Sequence, residues 1–477
     1  MTANTAYNLI EGDCRHLPLS DNSVHCIVTS PPYWNLRDYG TASWQGGDPT
    51  CDHVPVCKLT HRVPGAPSSG STNNNHSRGQ LATRSCGRCG AIQRDDQIGL
   101  EAVPDCLGWA RGASPCEACY VCMLRSVFAE LWRVLRDDGT VWLNLGDSYA
   151  QSGGSNAIPL KLDEGKQRRP LPQAARTLPR WKTLPGLKKK DLVGIPWRVA
   201  LALQSDGWYL RTDIVWAKGN PMPESVTDRP TRAHEYIFLL TKSKRYYYDQ
   251  AAIAEPVAEV SKRRYSQAAL STQQGGFKQE QYAAGLPGQK ARNRRPVEIL
   301  KGLARKSQAG QGLPTRNARS VWRINTQPTR LAHFATFPAE LPRRCIRAGT
   351  SEKGCCPHCG APWRRIVSKH NYTHDGTTTS LYPPGSNGYR ISLMRQAARA
   401  RGTEYGPTAQ TTGWQPDCQC PAHKPVPCMV LDPFTGSGTT GIIAIQEGRR
   451  FTGVDLNADY VEMARQRLDA ALNQAAP

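Results

Sequence analysis

No run of eighteen apolar residues occurs in this 477-residue chain, and its first thirty residues mix charged and polar groups without an apolar stretch. A spanning helix needs about twenty such residues and a signal peptide needs an apolar h-region, so neither membrane insertion nor export is expected. Acid is the scarcer charge: 39 Asp plus Glu stand against 61 Lys plus Arg, giving +22. That excess favours a polyanion over a small neutral metabolite, and nucleic acid is the leading partner. No Lys-Ser or Lys-Thr follows the glycine loop Gly436 to Gly441, which excludes a Walker A phosphate cradle. The Pro-Cys-Gln context of a C5-cytosine nucleophile is missing too, since the only Pro-Cys pairs are Pro115-Cys116-Glu117 and Pro427-Cys428-Met429. No fixed-period repeat is visible.

With 39% hydrophobic residues the chain is long and apolar enough for two or three packed domains. Val24 to Thr29 read as a compact strand ending at Ser30-Pro31-Pro32-Tyr33. The stretch from Trp34 to Gly99 is rich in Gly, Ser, Asn and Cys, as an inserted loop or metal-held lobe would be. Leu124, Val127, Phe128, Leu131 and Leu135 fall at helical spacing, with Gly139 placed to stop the helix before a strand Thr140 to Leu145. A second helix starts at Pro196 and ends near Gly207, a strand Trp208 to Trp216 follows, and Glu235 to Thr241 with Arg245 to Asp249 read as a hairpin. Val426 to Leu431, the glycine loop, a helix through Glu447, a strand Arg450 to Val454 and a last helix from Ala458 complete an alternating α/β pattern.

Gly436, Gly438 and Gly441 lie between a strand and a helix, where the backbone approaches a ligand closely and the helix offers free N–H groups. Asp455 ends the next strand, positioned to accept ribose hydroxyls, so this half reads as a Rossmann-type nucleoside site. NAD fits the glycines alone. Asp432-Pro433-Phe434 just before them puts a carboxylate where a diphosphate is repelled, and a cationic amino acid headgroup suits it better. Ser30 to Tyr33 combine a hydroxyl, carbonyls of two rigid prolines and an aromatic face, parts suited to holding a planar exocyclic amine. Hydrogen bonds from the amine to the Ser30 hydroxyl and the Pro31 carbonyl favour a tetrahedral nitrogen aimed at an electrophile, with Tyr33 stacking on the flipped base.

Thr29-Ser30-Pro31-Pro32-Tyr33-Trp34 and Leu431-Asp432-Pro433-Phe434-Thr435-Gly436-Ser437-Gly438-Thr439 closely resemble the catalytic and cofactor motifs of the amino-group DNA methyltransferases, in the permuted order of their beta class. Gly12-Asp13-Cys14, Trp142 to Asp147, Trp216 to Tyr236 and His333 to Pro338 also match. The resemblance implies a Rossmann-like S-adenosylmethionine-dependent methyltransferase fold with one mixed seven-stranded sheet. It implies that Ser30, Pro31, Pro32 and Tyr33 hold the target amine. Asp13, Asp432, Pro433, Phe434, Gly436, Gly438, Thr439 and Asp455 would hold the cofactor, with Phe337 and Pro338 lining its pocket. Ser at the first motif position points to cytosine N4, adenine N6 being the alternative. The implied partner is double-stranded DNA, with room for a cognate restriction endonuclease, in a cytoplasmic, nucleoid-associated setting.

Seventeen cysteines without an export signal, many at metal-ligand spacing, read as bound metal in a reducing compartment. Cys356, Cys359, Cys418 and Cys420 make a four-thiolate zinc set around a loop-rich segment, with Cys355, His423 and Cys428 as spare ligands. Cys51 and His53 with Cys86 and Cys89 resemble another ribbon, in which Cys57 is a possible substitute. Cys106, Cys116, Cys119 and Cys122 are zinc-like, though the run also admits an iron–sulfur centre or buried thiols. Cys14, Cys26 and Cys345 read as isolated buried thiols.

The expected division is catalytic core 1–50, cysteine-rich insertion 51–122, core 123–250, basic target-recognition region 251–321, cofactor-closing segment 322–350, zinc-ribbon insertion 351–425 and cofactor-binding core 426–477. Two readings from other classes are a nicotinamide-dependent oxidoreductase and a non-catalytic zinc-ribbon nucleic-acid-binding protein. The charge argument predicts that duplex affinity, followed by fluorescence anisotropy, falls about 10³-fold or more between about 50 and 200 mM salt. A flat response would remove it.

Overall fold

The computed structural model describes residues 6–34, 43–48, 50–52, 55–62, 80–86, 88–94, 97–101, 103–116, 118–150, 187–188, 190–255, 316–327, 337–369 and 409–475. Its strands are β1 (Tyr7–Glu11), β2 (Val24–Thr29), β3 (Ser43–Gln45), β4 (Pro55–Arg62), β5 (Gln80–Cys86), β6 (Ile92–Arg94) and β7 (Leu135–Leu145). They continue as β8 (Tyr209–Ala217), β9 (His234–Thr241), β10 (Val321–Arg323), β11 (Trp363–Lys369), β12 (Ala409–Pro416), β13 (Met429–Asp432) and β14 (Arg450–Asp455). The longer helices are α1 (Tyr120–Val134), α2 (Ile195–Ser205), α3 (Glu340–Gly349), α4 (Thr439–Gln446) and α5 (Ala458–Ala475).

The chain divides into two units. The first comprises residues Met1–Asp249, Arg319–Pro362 and Lys424–Pro477; the second comprises Gln250–Ala318 and Trp363–His423. In the second, β11 pairs antiparallel with β12, Arg365 lies 4.3 Å over the Trp414 ring, and Arg316 meets Glu255 at 3.0 Å. Residues 256–315, most of the basic region expected to recognise DNA, lie outside the described residues.

The first unit is built on an eight-stranded sheet in the order β1-β14-β13-β2-β7-β9-β8-β10. β2, all of whose residues are buried, sits mid-sheet between parallel partners β13 and β7, where a mostly apolar strand belongs and where its two polar residues, His25 and Thr29, both find hydrogen-bond partners. α1 buries Tyr120, Val121, Leu124, Val127, Phe128 and Leu131 in the core shared with β2 and β7. A separate antiparallel sheet, β3-β6-β5-β4, carries the insertion after the Ser30–Tyr33 turn.

Three sequence expectations are corrected. The sheet has an eighth strand, β10, only three residues long and parallel to β8. α1 ends at Val134 rather than at Gly139, because the chain turns directly into β7. The ladder then jumps from Val24–Leu135 to Cys26–Thr140, so 136–139 bulge out of register. The hairpin of Glu235 to Thr241 with Arg245 to Asp249 does not form. β9 has both edges filled, by β7 and β8, and the later segment instead bonds Tyr247 N–H to the Asp138 carbonyl and Asp249 N–H to that of Ala348.

Every parallel strand ends at one edge of this sheet, and antiparallel β9 begins there. Ser30 after β2, Asn144 in β7, Lys218 after β8, Glu235 in β9, Asp432 closing β13 and Asp455 closing β14 therefore converge on the carboxyl edge, where open α/β sheets bind ligands. β2 and β13 are joined there by more than their ladder. The Thr29 hydroxyl donates to Asp432 Oδ1 at 2.8 Å, and Asp432 Oδ2 accepts from the Thr440 hydroxyl at 2.7 Å.

Burial pushes Asp432 up to about 7. Its folded-state value lies above the unfolded carboxylate value of about 3.9, so the stability it contributes is complete below that value and is lost as pH rises through about 7. Thermal unfolding from about pH 5 to pH 8 is expected to show the wild type losing more stability than Asp432→Asn. Parallel curves would contradict a raised Asp432 carboxyl.

Candidate active site

Ser30 leaves the buried end of β2 with its Oγ 3.4 Å from both Asn144 Oδ1 and the Tyr33 hydroxyl. Tyr33 donates to Glu235 Oε2 at 2.5 Å. Burial first, then the Glu235 charge, holds its phenol well above the usual range, so it remains a donor. The Asn144 amide donates to the same Glu235 oxygen at 3.2 Å and to the Tyr236 carbonyl at 3.1 Å, which fixes its Oδ1 toward Ser30. Lys218 Nζ donates to Glu235 Oε1 at 2.5 Å and balances the carboxylate. With the Tyr33 proton committed to Glu235, Ser30 can donate to Asn144, leaving its lone pairs to accept an N–H from outside.

The Tyr33 ring rests on Gly146, where a Cβ would stand 2.4 Å from Cε2 of the ring. A side chain at 146 is therefore excluded unless the ring moves. On the other side of the turn, the Pro32 carbonyl accepts the Tyr120 hydroxyl at 2.8 Å and Trp34 Nε1 donates to the Glu101 carbonyl at 2.8 Å.

In the cofactor half, Gly436 and Gly438 have φ of 47° and 78°, the left-handed region that favours glycine. Gly436 N–H donates to Asp455 Oδ2 at 2.8 Å, and Asn457 N–H to Oδ1 at 3.0 Å. Gly12 N–H donates to the Asp455 carbonyl at 2.9 Å, which sets Asp13 beside the end of β14. Burial raises Asp13, but the hydrogen bonds and charge of Arg15 outweigh it and hold this carboxyl below its ordinary value.

Asp432 differs from its expected part. It is 2% exposed and its oxygens are taken by Thr29, Thr440 and the Phe434 N–H, so it shapes the loop rather than offering an open carboxylate. Pro433 and Phe434 form the turn beyond it, and Thr439 opens α4. Phe337 and Pro338 lead into α3, where the Pro338 carbonyl accepts the Leu341 N–H at 3.0 Å, while His333 to Thr336 lie outside the described residues. The set fits S-adenosylmethionine: a glycine-lined loop and acids for hydroxyls, with Asp13 and Asp455 unsuited to a diphosphate.

The thiols form groups as well. Cys106, Cys116, Cys119 and Cys122 place their sulfurs within 4.8 Å of one another, as do Cys51, Cys86 and Cys89, while His53 lies outside the described residues. Cys356 and Cys359 belong to the first unit, Cys418 and Cys420 to the second. Cys14, Cys26 and Cys345 are buried, and burial pushes their thiols up. His25 buried beside Cys355 and Cys428 is a grouping that no spacing announced. Its Nε2 faces the Gly360 carbonyl at 2.8 Å and its Nδ1 accepts the Met429 N–H at 3.1 Å, so the ring is already used on both sides.

Sequence reasoning also missed Asn144, Glu235 and Lys218 as a group. They sit in or beside segments that matched the family, but their meeting depends on the antiparallel β7, β9 and β8 register, which no local spacing reports.

The chain matches the N6_N4_Mtase DNA methylase family over residues 24–357 and 428–466 and belongs to that family. It is an amino-methylating DNA methyltransferase whose cofactor is S-adenosylmethionine. It is 32% identical to the type II methyltransferase M.Cfr9I of Citrobacter freundii, covering 96% of this chain and 87% of that protein. It is 29% identical to M.SmaI of Serratia marcescens, with 96% and 90% covered. The alignment with the solved PvuII DNA methyltransferase (cytosine-N4-specific) covers 98% of this chain and 92% of that one at 12% identity and a TM-score of 0.40.

The packing of Tyr33 on Gly146 predicts that Gly146→Ala lowers methyl transfer by about 10²-fold, the order expected for a 1 Å misplacement near the chemistry. S-adenosylmethionine binding, measured by calorimetry, is expected to stay within about twofold.

Proposed function

We propose that the chain transfers a methyl group from S-adenosylmethionine to the exocyclic N4 of cytosine in double-stranded DNA at a specific site. The carrying observation is the Ser30 hydroxyl, held within 3.4 Å of Asn144 Oδ1 with its lone pairs free to accept an amine hydrogen. The Pro31 carbonyl takes the second hydrogen. Two acceptors on one planar NH2 draw its lone pair out of conjugation and toward the cofactor side of the sheet edge. Tyr33, tethered by Glu235, would stack on the flipped base, and Asn144 keeps Ser30 from rotating away.

The cofactor supplies an electrophilic methyl group when bound. The glycine loop 436–441 and Asp455 would hold it, Asp432 braces that loop from behind, and Asp13 lies at the adjoining strand end. Phe337 and Pro338 would cover it. Positive charge in 251–321 would meet DNA phosphates, and a cognate restriction endonuclease, if present, would read the same site in the cytoplasm. Family membership leaves the nicotinamide reading without support. Adenine N6 is the second reading, favoured by the breadth of the family itself.

Purified protein incubated with labelled S-adenosylmethionine and mixed-sequence duplex, followed by nucleoside mass spectrometry, is expected to yield N4-methylcytosine. N6-methyladenine would overturn the base and keep the enzyme. Ser30→Ala is expected to lower the transfer rate by about 10²-fold, the cost of losing one oriented hydrogen-bonding group, with cofactor affinity retained.

A further inference from the structure

The segment from Val103 to Cys122 is folded with unusual care for a surface insertion. Tyr120 and Val121 donate their N–H groups to the carbonyls of Val103 and Pro104 at 3.1 and 3.0 Å, which brings Cys106 against the start of α1. Asp105, fully buried, accepts from Leu107 N–H at 2.8 Å, Trp109 Nε1 at 3.1 Å and Arg198 Nη1 at 3.2 Å. Leu107 is held at φ 57°, a costly conformation for a branched side chain. That turn aims Gly108 N–H at the Cys106 sulfur at 3.3 Å, and Cys122 N–H reaches the Cys119 sulfur at 3.5 Å.

The sulfurs of Cys106 and Cys122 are 3.6 Å apart, as are those of Cys116 and Cys119. A tetrahedron with Zn–S bonds of about 2.3 Å has edges of about 3.8 Å. Thiols are weak donors and gain little by clustering, whereas backbone N–H groups directed at sulfur suit thiolates on a metal. Cys106 and Cys116 are exposed and Cys119 and Cys122 buried, so an ion has a solvent route in and a fixed floor.

Tyr120 stands between two of these cysteines. It is fully buried, and its hydroxyl donates to the Pro32 carbonyl at 2.8 Å. The same insertion brings Gly99 against the next peptide, where an added Cβ would lie 3.1 Å from the Tyr33 carbonyl oxygen. Whatever fixes Cys119 and Cys122 therefore fixes the anchor of the Ser30–Tyr33 turn.

We propose that Cys106, Cys116, Cys119 and Cys122 bind one zinc ion, and that this ion sets the position of the Ser30–Tyr33 turn through Tyr120, a positioning residue. The proposal rests on that turn being the amine-holding motif. Zinc performs no chemistry here; it replaces a loose loop by a rigid knuckle.

The test uses full-length protein. Elemental analysis is expected to show one fewer zinc per chain in the Cys106→Ser, Cys116→Ser double variant than in the wild type. Tyr120→Phe, which keeps all four thiols, is expected to retain full zinc and S-adenosylmethionine affinity. Its kcat for DNA methylation should fall about 3- to 10-fold at unchanged KM for DNA, the worth of one hydrogen bond. Equal zinc in the wild type and the double variant, or iron in its place, overturns the metal site. An unchanged kcat in Tyr120→Phe overturns the coupling. A wild type that holds the extra zinc but methylates no DNA removes the reading of the turn, and the coupling with it, while the metal count stands independently.

Discussion

The structure depends on two strands lying side by side whose sequences are some four hundred residues apart. β2 delivers Ser30 and β13 delivers the glycine loop, and their ladder is only two residue pairs long. Such a short ladder is a weak clamp, so the buried hydrogen bonds of Asp432 to Thr29 and Thr440 have a disproportionate task. In a site of low dielectric an unmade bond of this kind is expensive, which makes the correct alignment of the Ser30 turn and the glycine loop cooperative with burial of the acid. The motif order along the chain is then immaterial, because the sheet supplies the adjacency that covalent order does not.

A second layer of control acts on orientation. Glu235 receives Tyr33, Asn144 and Lys218 at once, so one carboxylate sets the direction of a phenol, an amide and an ammonium group. Lys218 also lies 4.9 Å over the Trp216 ring, which limits its freedom further. These residues hold the Ser30–Tyr33 turn from the β9 side, and Tyr120 with Gly99 holds it from the insertion side. A turn with two prolines is already stiff; fixing it from both sides leaves little room for the hydroxyl of Ser30 to wander.

The parts of this arrangement visible in the sequence were those written in consecutive residues. Ser30 to Tyr33 and Asp432 to Thr439 announce themselves because a strand end followed by a rigid or glycine-rich turn has a composition of its own. The strand Val24 to Thr29 was legible as a compact run stopping at a rigid turn, and the closely spaced Cys106 to Cys122 group from its spacing. Glu235 was not, because its role arises from the register of β9 against β7 and β8. Asp432 shows a subtler failure: its motif was plain, yet the direction its carboxylate faces is decided by Thr29, a residue of another strand. The false hairpin at 245–249 came from reading local strand propensity without knowing that both edges of β9 were occupied. Gly139 misled for a related reason, since a glycine at a register jump and a glycine after a helix look alike in one dimension.

The outermost strands of the large sheet carry a consequence for the protein in a crowded solution. β1 is five residues long and ends in Glu11, and β10 is three residues long with Arg319 before it and Arg323 at its end. An exposed ladder edge is a template for another chain, and apolar strands such as β2 and β9 would extend it readily if they lay there. Here they lie inside, and the rims are short and charged. The sheet thus keeps its stickiest sequences away from any open edge, a safeguard against amyloid-like growth that has no bearing on methyl transfer.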